Sequence, residues 1–341
     1  MNVLPAPNFA HLLSLSGAHG TYEHAQYSKA RVEHGYCTDD VARVVLVLAR
    51  QVDPILSDQL RMLLESSLCF LEQAQDANGT FVNRRDNNGA WLFAPSNEDC
   101  WGRAMWALGT LAARSEDEHL RQRASIAFGR GAHVVSPWPR AVSFAVLGAG
   151  ELVATDPHHA GALLVLANAA HVLNRRNVSQ RWCWPEERLT YANAVLPEAL
   201  LAAGIALGRE GDIERALEQL VWLLDAQVRG DHLSVTPSGG RGLHEERHQF
   251  DQQPLEVAAL SDACVRALSI SDDPRWRHGR ELCEQWFMGA NDLGVVMFDV
   301  QTGGGYDGLT ATGPNLNQGA ESTIALLTTQ QNAHRVSRVT Q

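Results

Sequence analysis

Residues 34–43 read HGYCTDDVAR and bring an imidazole, a phenol, a thiol and two adjacent carboxylates to the start of an apolar run, VVLVLA. Acids in such a place have two uses. With Thr38 as N-cap, Asp39 and Asp40 complete the first turn of a helix, where unpaired amides and the helix dipole favour negative charge. Alternatively they do chemistry, and cleavage of a glycosidic bond needs carboxylates in pairs, one protonated to release the leaving oxygen and one ionised to act on water or on the anomeric carbon. Neighbouring acids on a helix point about 100° apart. Asp39 and Asp40 therefore cannot flank one bond, and a partner must come from elsewhere in the chain.

Comparable polar stretches precede other apolar segments: SNEDCWGR, SPWPR, TYANAVLPE, FDQQPLE and NLNQGAE. In the second of these helices Asn97 is the expected cap for the turn that holds Glu98 and Asp99. If the segments converge, Asp251, Glu256, Asp307 and Glu321 are the available partners, and the expected catalytic set is Asp39 or Asp40 with Asp251 or Glu321. Glu198, next to Pro197 in an apolar segment, reads equally as a buried acid bonded to backbone freed by the proline. Sugars need aromatic faces for their C–H surfaces and polar groups for their hydroxyls. The expected walls are Tyr36, Trp101, Trp138, Trp182, Trp184, Tyr191 and Tyr306. Arg103 and Arg140 are the expected donors, and His34, Glu98, Asp99, Asn193, His248, Gln252, Asp307 and Gln318 complete the substrate-binding set.

Positioning these groups is the task of helices written in pairs. Fully apolar helical segments begin near Asp39, Glu98, Pro139, Asn193, Pro254 and Glu321, and five of them precede an amphipathic one, such as SDQLRMLLESSLCFLEQAQ or DIERALEQLVWLLDAQV. The sixth amphipathic partner is missing after the last apolar segment, and NFAHLLSLS near the amino end is expected to fill its place beside the C-terminal helix. Six inner and six outer helices make an all-α (α/α)6 barrel, with short β-like pieces in long rim loops. Irregular spacing disfavours a solenoid. Links from inner to outer helices, such as QVDPIL and GREGD, are short, whereas the return links are long and aromatic, which places function at the rim where the inner helices begin.

The chain of 341 residues is expected to form one barrel domain over 1–341, and 45% hydrophobic with 20% charged residues is ample for a large core. A formal charge of -11 without a basic run excludes a nucleic-acid footprint and suits an uncharged saccharide. Six scattered cysteines without CxxC spacing read as reduced, and no basic leader or membrane-length apolar stretch is visible. The expected location is the cytoplasm. No cofactor and no metal is expected, and the oligomeric state is left open.

Five motifs in order, YEHAQYSKARVEHGYCTDDVAR, NEDCWGRAMWALG, YANAVLPEALL, FDQQPLE and NQGAEST, resemble a bacterial family of (α/α)6 barrels labelled glycosyltransferase-associated or glycosidase-like. The resemblance spans about residues 8–330. It implies carbohydrate processing, and barrels of this kind are similar to those of glycoside hydrolases, unsaturated glucuronyl hydrolases and sugar 2-epimerases, among which fold alone does not choose.

Other motifs compete less well. HEERH at 244–248 matches a zinc pattern but lacks the apolar helix that presents it. GGGYDG at 303–308 has no βαβ unit around it. A 2-epimerase needs paired bases, for which His34, His232, His244 and His248 fall in rim loops. The expected function is a glycoside hydrolase acting on oligosaccharides of neutral hexoses, mannosides included. A sugar isomerase or epimerase is the first alternative, and a non-catalytic glycan-binding module the second.

Overall fold

The computed structural model describes residues 4–51 and 56–339. Its helices are α1 (Ala10–Ser14), α2 (Thr38–Ala49), α3 (Asp58–Ala74), α4 (Asp99–Arg114), α5 (Glu118–Gly131), α6 (Pro139–Thr155), α7 (Ala160–Asn168), α8 (Ala170–Leu173), α9 (Val195–Leu207), α10 (Glu210–Gln227), α11 (Pro254–Leu268), α12 (Pro274–Phe287) and α13 (Ala320–Val339). Helices α2, α4, α6, α9, α11 and α13 pack in that order, and α13 returns to α2. The ring closes. Outside it lie α3, α5, the α7–α8 pair, α10 and α12, while α1 packs on α13, as expected of the amino-terminal segment. The molecule is an (α/α)6 barrel.

The sequence explains which helix goes where. In α6 every residue from Arg140 to Ala149 is buried, whereas α5 buries only Ala124, Ala127, Phe128 and Gly131. A helix apolar all round must be surrounded by others, and an amphipathic one covers it. Each large apolar side chain so buried contributes about 1.5–3 kcal/mol. Helices α4 and α6 approach closely because glycines face each other: a Cβ on Gly102, Gly109 or Gly148 would collide with the backbone of the opposite helix.

Most links from outer to inner helices are long and carry two- or three-residue β ribbons, although residues 132–138 suffice between α5 and α6. The ribbon Tyr36–Cys37 pairs with Arg84–Arg85, which pairs with Trp91–Leu92, so the start of α2 is braced by the loop that leads to α4. In the QVDPIL link, residues 52–55 lie outside the described residues.

Between the inner helices, further charges are held in pairs. Arg50 donates to Asp262 (2.8 Å), which also accepts from Asn332 of α13 (2.8 Å). Arg266 donates to Glu198 (3.0 Å) and reaches Glu151 (3.5 Å), which also accepts from Arg114 (2.7 Å). Glu198 is thus held by an arginine rather than by backbone freed at Pro197. Burial pushes its carboxyl up to about 7, while at Glu151 the nearby Arg114 and Arg266 outweigh burial and bring it to about 2.

Candidate active site

The capping question has a clear answer. No side chain caps α2, α4, α6, α9 or α11, nor outer helix α10, whereas the outer helices α3, α5, α7 and α12 are capped by Ser57, Asp117, His159 and Asp273. Thr38, expected as a cap, instead donates to the Val82 carbonyl (2.6 Å), and Asn97 donates to that of Val135 (2.8 Å). Both braces tie a helix start to the preceding or following loop. The acids at these helix mouths are left for other work.

Asp39, Asp40, Asp99 and Glu321 face one cavity of about 480 Å³, which Glu23, Asp307, Arg43, Arg84 and Arg103 also line. Helices α13, α2 and α4 are consecutive in the ring and supply Glu321, the Asp39–Asp40 pair and Asp99, so the carboxylates form an arc along one wall. Facing them are Tyr191, before α9, and Gln253 and Leu255 at the start of α11.

Arg43 organises the arc. One of its terminal nitrogens donates to Asp40 and the other to Glu321, each at 2.5 Å, so a single guanidinium joins acids from adjacent helices. Burial lifts the Asp40 carboxyl to about 7 against the pull of Arg43, and both Glu321 and Asp39 add to the rise. Asp39 points elsewhere, as the helical offset requires. Its Oδ1 is buried without a hydrogen-bond donor, and Arg103 Nε lies 3.6 Å away. The Arg103 guanidinium stacks at 4.0 Å on the Phe144 ring, and burial, with Arg43 nearby, depresses its affinity for a proton. Asp307 accepts from the Gly319 N–H (2.8 Å), and burial raises its carboxyl.

Tyr191 is set by a buried acid behind it. Glu256 accepts from the backbone N–H groups of Ala192 and Asn193 and from the Asn193 side chain (2.9 Å), and burial lifts its carboxyl to about 6. These bonds fix the turn in which Ala192 sits at φ 45, a left-handed conformation uncommon for a non-glycine residue. Arg140 donates to the Tyr191 carbonyl (2.6 Å) and stacks on its ring at 5.0 Å, while the phenol donates to Asp99 (2.8 Å). Burial and Asp99 raise the phenol's affinity for its proton.

Of the residues expected at the site, Asp39, Asp40, Asp99, Arg103, Tyr191, Asp307 and Glu321 line the cavity, and Glu98 and Trp138 line a recess beside it. Asn193 and Arg140 support it from behind. Asp251 is exposed and outside the lining: the next residue, Gln252, pairs its backbone with Leu309 and accepts from Trp286 (3.0 Å), and the chain first meets the cavity at Gln253. Glu256 faces the wall, and Gln252 is a buried brace. Tyr36 is buried and stacks on Tyr22 (4.5 Å). Trp101 donates to the Gly131 carbonyl (3.2 Å), Trp182 donates to that of Glu186 (2.6 Å), and Trp184 stacks on Trp222, all three in the core. Gln318 is held by Thr302 and Asp299, and Tyr306 lies outside the lining. His34 Nδ1 lies 2.9 Å from Nδ1 of His24, His248 and His244 are exposed in a loop, and His232 sits on Asp292 (3.2 Å). Glu245 of the HEERH stretch is paired with Arg188.

Glu23, His24, Arg43 and Arg84 were not anticipated. Arg43 carried a signal, since it interrupts the apolar run that follows Asp40 and stands three residues from that acid. The others arrive by loops and carry none. Arg84 pairs with Glu23. Glu23, Cys37 and Asp40 form the group among the described residues whose ligand atoms, all within 4.8 Å, could hold a metal ion. Arginines already pair two of them, and burial pushes the Cys37 thiol far from the thiolate a metal requires.

No family model and no curated protein matches the sequence. Solved structures do. The fold is similar to that of a sugar epimerase from a ruminal bacterium, with 13% identity over 97% of each chain and a TM-score of 0.73. A D-mannose isomerase aligns over 96% of this chain and 95% of its own at 10% identity and a TM-score of 0.70. A GH76 α-mannanase of Bacteroides thetaiotaomicron aligns over 96% and 93% at 9% identity and a TM-score of 0.63. The chain is an (α/α)6 barrel whose polar cavity opens where its inner helices begin.

Proposed function

We propose that this protein is a carbohydrate-active enzyme, a glycoside hydrolase acting on neutral saccharides in the cavity at the inner-helix rim. The observation that carries the reading is the bridge Asp40–Arg43–Glu321. It puts two carboxylates from different helices on one cation, and burial gives one of them a value of about 7. One carboxyl protonated near pH 7 beside one that stays ionised is the protonation split glycoside cleavage uses. In this reading Asp40 in its neutral form donates a proton to the leaving oxygen. Arg43 then balances the charge of Glu321, the more exposed of the pair, which acts on water or on the anomeric carbon. Asp39, in the cavity lining, accepts from a sugar hydroxyl, and Tyr191 supplies the aromatic face. The similarity to sugar-acting barrels agrees with a saccharide as substrate.

The second reading is sugar isomerisation or 2-epimerisation, favoured by His24 in the cavity wall with His34 behind it. Both imidazoles lie on one side, whereas proton transfer to both faces of a carbon needs bases on two. A panel of oligosaccharides and monosaccharides in deuterated buffer separates the readings. Hydrolysis releases new reducing ends, while isomerisation releases none and incorporates solvent deuterium. Failure to produce either result with any sugar sinks both.

A further inference from the structure

Beside the main cavity lies a recess of about 260 Å³, and the two share Asp39, Asp99 and Tyr191 as common wall. Its outer side is Trp138. This indole is 51% exposed, while Trp101, Trp106, Trp182, Trp184, Trp276 and Trp286 are each at most 6% exposed. An indole left half in water keeps a large apolar face available for a ligand. It does not stand on a loose loop, because Trp138 immediately precedes α6 and its backbone N–H donates to Ser136 Oγ (3.2 Å). The Ser136 carbonyl in turn meets His171 Nε2 at 3.1 Å. Tyr191, 40% exposed, stands at the junction of the two spaces with its phenol tied to Asp99.

We infer that this recess is a second sugar subsite, with Trp138 as its stacking platform, so that the protein takes an oligosaccharide of uncharged residues lying from the main cavity across Tyr191 to Trp138. The inference rests on the saccharide reading above and extends it to chain length and charge. Asp39, Glu98 and Asp99 line the recess and no Lys or Arg does, so hydroxyl donors are accepted there. In the recess a uronate or phosphorylated sugar meets three acids, of which only Asp39 has a cation beside it, Arg103 at 3.6 Å.

Binding tests this without depending on turnover. Calorimetric titration of Asp40→Asn, which stops proton donation in the proposed mechanism, would use manno- and cello-oligosaccharides of one to three residues and an oligogalacturonate. The trisaccharide of the better series is expected to bind about tenfold more tightly than its monosaccharide. Adding Trp138→Ala should remove about that factor for the trisaccharide and leave the monosaccharide unchanged, and Trp138→Phe should restore most of it. The oligogalacturonate should not bind. Equal losses for short and long ligands, no loss for either, uptake of the uronate, or binding of no sugar at all overturns the subsite. Trp138-dependent binding of the trisaccharide, with neither bond cleavage nor deuterium uptake by the wild-type protein, leaves the subsite standing and removes the enzymatic reading.

Discussion

In the reaction we propose, Asp40 is the acid, and its titration should be visible. If it acts as the acid, kcat/KM falls as pH rises through about 7, and a pH–rate profile of wild type against Asp40→Asn checks this, since the variant loses that limb. Asp40→Asn and Glu321→Gln should each lower turnover by roughly 10² to 10⁴-fold, the usual worth of positioned acid–base groups. Asp251→Asn should leave it unchanged, and retained activity in both cavity variants would remove the pair. Stability carries the same signature. A carboxyl raised in the folded state from 3.8 to about 7 favours folding at pH below the lower value and loses that contribution as pH rises through the upper one. The Tm of wild type relative to Asp40→Asn should therefore fall across that window. Asp39, Asp40, Asp99 and Glu321 were legible because each stands at the start of an apolar helix. Glu23 and His24 were not, because nothing local distinguishes a loop residue folded over a cavity from one in solvent.

Helix starts do more than hold acids. The turn before α9 depends on Glu256, whose carboxylate faces only donors, so Glu256→Gln presents an N–H to the backbone amides and loosens Tyr191. The expected result is a KM raised by about tenfold with kcat largely retained, in line with hydrogen bonds to a charged group worth about 1.5–3 kcal/mol. Steady-state kinetics decide it, and a fall in kcat alone would place Glu256 in the chemistry instead. Between α4 and α6, Gly109→Ala or Gly148→Ala should destabilise by about 1–3 kcal/mol in chemical denaturation, because the added methyl meets backbone that cannot swing away. The periodicity told inner helices from outer ones and located the start of each inner helix within two residues. It could not tell whether Thr38 and Asn97 cap their helices, because that depends on partners in other loops, the carbonyls of Val82 and Val135.

Closure of the ring makes distant segments depend on each other. Asp262 of α11 joins Arg50, which follows α2, to Asn332 of α13, and Gln331 donates to the Val47 carbonyl (2.8 Å), so the C-terminal helix is locked between its neighbours. Removing one member of a buried ion pair typically costs about 3–5 kcal/mol. Asp262→Ala should lower denaturation midpoints accordingly, and no change would show the seam to be held by apolar packing alone. We propose that the barrel is one domain, and coincident transitions by near- and far-ultraviolet circular dichroism are the result expected of it. Among the described residues no helix is long and apolar enough to cross a membrane. By itself the sequence determined that helices alternate between buried and half-buried, that they form an (α/α)6 barrel, and that polar chemistry gathers at one rim, since burial is written residue by residue in hydrophobic periodicity. Only the tertiary structure decided that Arg43 joins Asp40 to Glu321, that Asp251 and Tyr36 stand aside, and that Tyr191 and Trp138 border a second recess. Those outcomes depend on distances between segments up to 278 positions apart, which local pattern does not encode.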